Sequence, residues 1–501
     1  MIYPVRQPLK ISAAVFLVVL GLLFTYVFFR EDAAGIGSSG SGVSYSGSWP
    51  ASVGHASYGA LIVDSKGLVK DAHRLPTADS FLPHFKAVTE MKGMTMDEAK
   101  SGCTWLYPAA VTFTFDGSDA DWKLNDRSDM ELDRQRNKWH EFIESQLLPF
   151  EEYKERFDGR GIIIVAGNEK SLKRVRVILR QLMKLKSELP IEIHFWGQEL
   201  NESSRNALQE LWQPNKMFFN DLSDPANIAK TKFNPYLINY QLKTAAVINS
   251  RFAEPFLLDS DNIPIIDPAE LYDSATYREF GTLFWPDIAR TRTNNPMWPI
   301  TNTKCRMDEY EQESGQLLVD KRRFFYHLQL ADWFGNAQPD QYYSKFLLGD
   351  KDLFRFSWHA LKTPFGSPAR WLTSVGTLTP DGYYCGHTFA QYHPDRDDGR
   401  IAFLHGGLLK TLSKELISWH RETNGGIFKA YKKHPHDENW SVTTNVSIKW
   451  DIAEYLPNKP EGMPVASCTD FYDVEPKILE EILPGFEKRY EEIGGYWMLD
   501  A

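Results

Sequence analysis

A short apolar run, Phe256-Leu257-Leu258, leads into two carboxylates one residue apart, Asp259 and Asp261, and Pro264 ends the stretch. The pattern predicts a buried strand whose last residue hands the chain to an Asp-x-Asp turn. Such a turn lies at the carboxyl edge of a sheet, where open α/β sheets bind ligands. Two hard anionic oxygens there suit a divalent cation, and the cation suits a diphosphate. A bland alternative is a strand-end turn in which Asp259 caps backbone and Pro264 redirects the chain.

The residues before the motif support the first reading. Ile162 to Val165 is a continuous apolar run, as a strand buried on both faces requires. Ser171 is placed to cap a helix carrying Leu172, Val175, Ile178, Leu179, Leu182 and Leu185 on one face. Ile191 to Trp196 predicts the next strand, Asn201 to Trp212 a helix, Met217 to Phe219 a strand, and Tyr236 to Ser250 a helix. The alternation is that of a doubly wound α/β half feeding the acidic turn. No glycine-rich phosphate loop follows the first strand, because Gly159-Arg-Gly161 precedes it. Phosphates bound by this chain therefore call for a metal.

Past Pro264, Thr282 to Asp287 predicts a strand, and 288–308 a lid or acceptor loop containing Trp298. Glu313-Ser-Gly-Gln316 runs into Leu317-Leu-Val319, with a helix from about Asp320 to Phe334 and another after Gly349. Trp371 to Leu378 and Gly382 to Gln391 predict strands. Ile401 to Leu404 predicts one that ends at His405-Gly-Gly407, followed by a helix from Leu408 to Glu422. His405 supplies the type of third ligand that two aspartates lack. Lys243 and Lys410 carry charges suited to a diphosphate. Glu313, Gln316, Asp350 and Asp352 are the candidates near a reacting carbon: Gln316 to bind sugar hydroxyls, Asp350 or Asp352 to orient or deprotonate an acceptor. An N-cap role for Asp350 is the structural alternative.

Ile11 to Phe29 is apolar apart from Ser12, Gly21 and Thr25, with Arg6 and Lys10 before it. At about 1.5 Å per residue this length matches a hydrocarbon core of about 30 Å. The positive-inside rule places residues 1–10 in the cytosol and the chain after the 11–29 anchor on the far side. Residues 30–60 are rich in Gly and Ser and predict a flexible stem. In 61–158, Val111 to Phe115 alternates like a strand, and Ser128-Asp-Met-Glu131 opens a long helix to about Phe157. The net charge of −10 excludes a nucleic-acid partner of the usual basic kind. The four cysteines, Cys103, Cys305, Cys385 and Cys468, form no metal-binding pair by spacing. In an oxidising compartment they allow up to two disulfides with three pairings.

Five motifs occur in order: Tyr240-Gln-Leu-Lys243, Leu257-Leu-Asp-Ser-Asp-Asn-Ile-Pro264, Glu313-Ser-Gly-Gln316, Gly349-Asp-Lys-Asp-Leu-Phe354 and Leu404-His-Gly-Gly407. Together they resemble the fungal Golgi α-mannosyltransferases that build mannan and glycoprotein outer chains with α-1,2 and α-1,3 linkages. The resemblance covers about 159 to 412. It implies a GT-A type fold with a mostly parallel central sheet flanked by helices, GDP-mannose as donor, Mn2+ as cofactor and retention of the α configuration. It also implies a glycan or glycoprotein acceptor and a type II Golgi membrane protein with its catalytic domain in the lumen. Carried over by position, Asp259 and Asp261 bind metal and diphosphate, His405 is the third ligand, and the Asp350–Asp352 segment faces the donor sugar. Residues 159–424 are then the catalytic domain and 425–501 a packed C-terminal extension. The alternatives are a retaining galactosyl- or glucosyltransferase using a UDP-sugar, and an inactive luminal carbohydrate-binding protein.

Overall fold

The computed structural model describes residues 78–103, 125–235, 239–336, 342–347, 349–406, 413–440, 446–449, 468–471 and 474–499. The expected cytosolic tail, anchor and stem lie outside these residues, as do the strand at 111–115 and the segment 407–412 with Lys410. Among the described residues no helix is long and apolar enough to cross a membrane.

The N-terminal part is helical: α1 (Ala78–Thr89), α2 (Met96–Lys100) and α3 (Asp129–Ser145). The Ser128 side chain caps α3 by accepting from the Glu131 amide. The helix stops at Ser145, short of the expected Phe157. Pro149, which lacks an N–H and disfavours helix before it, diverts the chain into two single 3-10 turns. Trp139 and Phe142 of α3 are buried, and the Trp139 indole donates to the Ile300 carbonyl at 3.2 Å. A Cys103–Cys305 disulfide ties this part to the same neighbourhood. The 288–308 segment is accordingly not an open lid. Its short helix α8 (Met297–Ile300, numbered in chain order with the elements below) is wholly buried, and Trp298 is 1% exposed.

The central elements are β1 (Arg160–Val165), α4 (Glu169–Lys184), β2 (Ile191–Phe195), α5 (Glu202–Leu211), β3 (Met217–Asp221), α6 (Gln241–Asn249) and β4 (Glu254–Leu258). There follow β5 (Ile263–Pro264), α7 (Ala275–Phe280), β6 (Thr282–Pro286), β7 (Gln312–Val319), α9 (Lys321–Asn336) and α10 (Lys351–Ala360). The sheet order is β3-β2-β1-β4-β7-β6. Strands β1 to β4 run parallel, and β7 lies antiparallel between β4 and β6. Asn168, not Ser171, caps α4; its side chain accepts from the Ser171 amide at 3.0 Å. Alternate residues of the strands feed two cores. Ile162, Ile164, Phe256 and Leu258 pack with the apolar face of α4, while Ile163 and Leu257 pack with α6 and α9. Helices α4 and α6 thus cover opposite faces of one sheet.

A second, antiparallel sheet contains β8 (Thr373–Leu378), β9 (Tyr384–Tyr392) and β10 (Ile401–His405). After α11 (Lys414–Asn424), β11 (Ala430–Lys432), β12 (Val446–Lys449), β13 (Cys468–Phe471) and β14 (Lys477–Ile478) extend it. The tail is therefore woven into this sheet, and a Cys385–Cys468 disulfide joins β9 to β13. The chain closes with α12 (Phe486–Glu492). One contact positions the site: β10 pairs with β5, with Leu404 opposite Ile263 and Phe403 opposite Pro264.

Candidate metal centre

The turn after β4 is held on β7. The Asp259 amide donates to the Gly315 carbonyl at 2.8 Å, and the Asn262 amide donates to the Asp259 carbonyl at 3.0 Å. The Asn262 side chain donates to the Gly315 carbonyl at 2.9 Å and to Gln316 Oε1 at 2.5 Å. These bonds set Asp259 and Asp261 at the carboxyl edge of β4. The β10–β5 ladder then delivers His405 to them from 144 residues further on (405 minus 261). Its Nε2 lies 3.3 Å from Asp261 Oδ1 and 3.6 Å from Asp259 Oδ2. One ligand atom from each of the three residues falls within 4.8 Å of the others. Gly315 makes room for the ring, since a Cβ there would sit 2.0 to 2.5 Å from its Cε1, Nδ1 and Nε2.

Four further groups surround this cluster. Glu313 Oε1 lies 3.3 Å from His405 Nδ1 and accepts from the Gly315 amide at 2.8 Å. Lys243 Nζ donates to Asp259 Oδ2 at 3.0 Å and to Ser314 Oγ at 3.1 Å, and lies 3.3 Å from Asp350 Oδ2. Arg174, on α4, approaches Asp261 Oδ2 at 3.7 Å. Burial works against charge at each buried group, yet neighbouring charges prevail at three of them. Asp259 and Asp350 hold the Lys243 ammonium well above its ordinary value. Glu313 and Asp261 hold the His405 imidazolium up to about 10, and His405 holds the Glu313 carboxyl down to about 2. Burial raises the Asp350 carboxyl, and Lys243 acts in the opposite direction.

The structure brings together Asp259, Asp261, His405, Lys243, Glu313 and Asp350. Glu313 stands behind the histidine. Gln316 is 0% exposed and its Oε1 supports Asn262. Asp352 is 1% exposed; its Oδ1 accepts from the Gln312 amide at 3.0 Å and from Arg355 Nε at 3.0 Å. Four residues here had no role in the sequence reading: Arg174, Asn262, Ser314 and Gly315. Arg174 lies beside the apolar stripe of α4, where a charge reads as solvent-facing. Gly315 carried a signal, because a glycine inside a strand marks a close approach.

The donor set fits a divalent cation. Two carboxylates and one imidazole suit Mn2+ or Mg2+, and three protein ligands leave positions for phosphate oxygens. Both ring nitrogens of His405 are buried and lack an aligned hydrogen bond despite the nearby carboxylates, an arrangement that a cation at Nε2 would satisfy.

A protein family described as "Mannosyltransferase putative" matches residues 159–309 and 299–393. The α-1,2-mannosyltransferase MNN2 of Candida albicans is 23% identical over 407 residues, covering 70% of this chain and 65% of that protein. The chain is similar to fungal α-1,2-mannosyltransferases. A second relative, the α-1,2-mannosyltransferase MNN22 of Candida albicans, is 27% identical over 293 residues, covering 47% of each protein. The chain thus spans between about half and two thirds of the length of these two relatives. Among solved structures, the apo bifunctional glycosyltransferase WbbM overlaps 42% of this chain and 38% of its own, with a TM-score of 0.32 and 10% identity. The family match ends at residue 393, so His405 and the C-terminal segment lie beyond it.

Proposed function

We propose that the chain is a metal-dependent, retaining mannosyltransferase of GT-A type. In this reading it moves mannose from GDP-mannose to a glycan or glycoprotein acceptor, and the protein is a type II Golgi membrane protein anchored by 11–29. The observation that carries the reading is the convergence of Asp259, Asp261 and His405 at the carboxyl edge of a mostly parallel sheet. Similarity to these relatives supports the sugar, since their names specify mannose transfer.

Asp259, Asp261 and His405 would hold the cation. A bound Mn2+ would offset the charge that grows on the departing diphosphate. Glu313 orients His405 from behind. Lys243 lies between Asp259 and Asp350 and offsets the negative charge of this pair beside the donor. Of the two acids after Gly349, Asp350 is the one directed at the donor sugar, because Asp352 is committed to Arg355 and the β7 backbone. Gln316 acts through Asn262 on the acidic turn. Asp350 and Glu313 are both engaged by cations, so neither is a free nucleophile. Retention then proceeds by attack on the same face as departure, with a phosphate oxygen taking the acceptor proton.

The test is a donor panel on the full chain in detergent, with GDP-mannose, UDP-galactose and UDP-glucose, each with Mn2+ or EDTA. Diphosphate release from GDP-mannose, abolished by EDTA, is the expected result. Turnover with only a UDP-sugar would overturn the mannose assignment, and EDTA-insensitive turnover would overturn the metal.

A further inference from the structure

Three Asn-x-Ser triplets occur in the chain, beginning at Asn201, Asn439 and Asn445. Ser441 and Asn445 lie outside the described residues, so the triplet at Asn201 is the one whose geometry is complete. It sits where the chain enters α5. After β2 the backbone makes one 3-10 turn, Gly197–Glu199, and passes through Asn201 into the helix. The approach is fixed: the Gly197 amide donates to Asp221 Oδ1 at 2.8 Å, and Leu200 is 1% exposed.

Asn201, Glu202 and Ser203 are all exposed. The Asn201 backbone is extended, with φ −74° and ψ 167°, and its Oδ1 accepts from the Ser204 amide at 2.9 Å. The cap therefore uses only the oxygen of the carboxamide, and Nδ2 takes no part in it. Beyond the cap, α5 buries Leu208 alone of its ten residues. A bulky group on its outer side displaces no packing. A helix that short, held by one buried side chain, leans on its cap for stability. Any modification of Asn201 compatible with the fold must leave Oδ1 as an acceptor.

We propose that Asn201 is an N-glycosylation site that carries its glycan on Nδ2. The inference rests on the luminal placement of the catalytic domain in the proposed function, because an Asn-x-Ser triplet is an acceptor only on that side of the membrane. In the step, Nδ2 attacks C1 of the first sugar of a lipid-diphosphate-linked oligosaccharide, on a host oligosaccharyltransferase. The Nδ2–C1 bond forms, the C1–O bond to the diphosphate breaks, and one amide proton is released with the lipid diphosphate. The Ser203 hydroxyl completes the recognised triplet. The product is still an amide whose Oδ1 can accept from Ser204, so the α5 cap survives attachment. A bulky, solubilising glycan there also bars another protein from docking over the first turn of α5.

The experiment expresses the full chain in a fungal secretory host as wild type, Ser203→Ala and Ser203→Thr. Ser203 lies in the triplet but outside the cap, so its loss separates glycan from helix. Each protein is treated with peptide N-glycosidase in heavy-oxygen water, and the peptide spanning 201–203 is read by mass spectrometry. Wild type and Ser203→Thr should show isotope-labelled conversion of Asn201 to aspartate. Ser203→Ala should lose that label, together with the gel shift of one glycan. Labelling that persists in Ser203→Ala would come from deamidation and overturns the site. Protease protection in intact microsomes, scored on the same wild-type chain, separates the site from the topology. An unmodified Asn201 in a protected chain overturns the site and leaves the proposed function standing, whereas digestion of the catalytic domain from outside overturns both the luminal placement and the site. The wild-type measurement decides without either variant having to fold.

Discussion

Glu313 Oε1 lies 3.3 Å from His405 Nδ1, while Nε2 of the same ring lies 3.3 Å from Asp261 Oδ1. One carboxylate fixes the ring from behind and another marks where a cation would sit in front. Carboxylates that orient a ligating histidine usually contribute 10- to 100-fold to metal affinity. Glu313→Gln should therefore weaken Mn2+ binding by about that factor without unfolding the chain. Calorimetric Mn2+ titration measures it; wild-type affinity in the variant would show that His405 is held by the β10–β5 pairing alone.

Gly315 tests the same geometry through space rather than charge. A methyl group there would occupy the position of the imidazole, at 2.0 Å from Cε1. The ring must move, because the other side of Gly315 is fixed by the Asp259 and Asn262 hydrogen bonds. Gly315→Ala is expected to lower metal-dependent turnover by at least about 100-fold, in line with loss of a well-placed ligand. The cost in stability should be about 1–3 kcal/mol, the usual range for forcing extra volume into a packed site. Chemical denaturation and initial rates separate the two effects.

Lys243 lies between two carboxylates that need it. Its Nζ is 3.0 Å from Asp259 and 3.3 Å from Asp350, and Asp350 is 2% exposed. Removing one member of a buried pair leaves the other charge uncompensated, at a cost of roughly 3–5 kcal/mol. Lys243→Met should be destabilised by about that amount and lose turnover. The double variant Lys243→Met with Asp350→Asn should recover most of the stability and none of the turnover. Additive losses in the double variant would mean that the pair is not coupled.

Much of this architecture is legible in the residues, for reasons that can be named. Strands β1 to β4 are apolar runs between helices, two of them capped by Asn168 and Asn201, and the period of each is local. The acidic turn follows from what those strands must do at their ends. The third ligand was found by type, since His405 also ends a strand. What brings it to Asp261 is the antiparallel pairing of a two-residue strand, Ile263–Pro264, with Phe403 and Leu404, and nothing local encodes that register. The same limit applies to Gln316 and Asp352. Their residue types suit a sugar site, but tertiary packing directs one to Asn262 and the other to Arg355. At α4 the error was chemical: both Asn168 and Ser171 are good caps, and the backbone entered the helix three residues earlier.

Acid should weaken this protein through its buried histidines outside the metal cluster, His420 and His387 as well as His327 and His359. His420 of α11 and His387 of β9 are each 0% exposed, with ring centroids 5.7 Å apart. His420 Nδ1 lies 2.9 Å from the Asn424 side-chain amide, which donates to it in the neutral form. Burial pushes His420 down to about 4 and His387 well below its ordinary value, where His420 also contributes. The folded chain therefore resists protons that the unfolded chain accepts at about pH 6.5. Stability is full above that pH and falls as pH drops from 6.5, at roughly 1.4 kcal/mol per pH unit for each group. For His420 the loss levels off near pH 4, where the folded state also takes the proton. Chemical denaturation between pH 7 and 4.5 should show this slope, and His420→Phe should reduce it by about one proton. An identical slope in the variant would assign the acid sensitivity to the other buried histidines, His327, His359 and His387 among them.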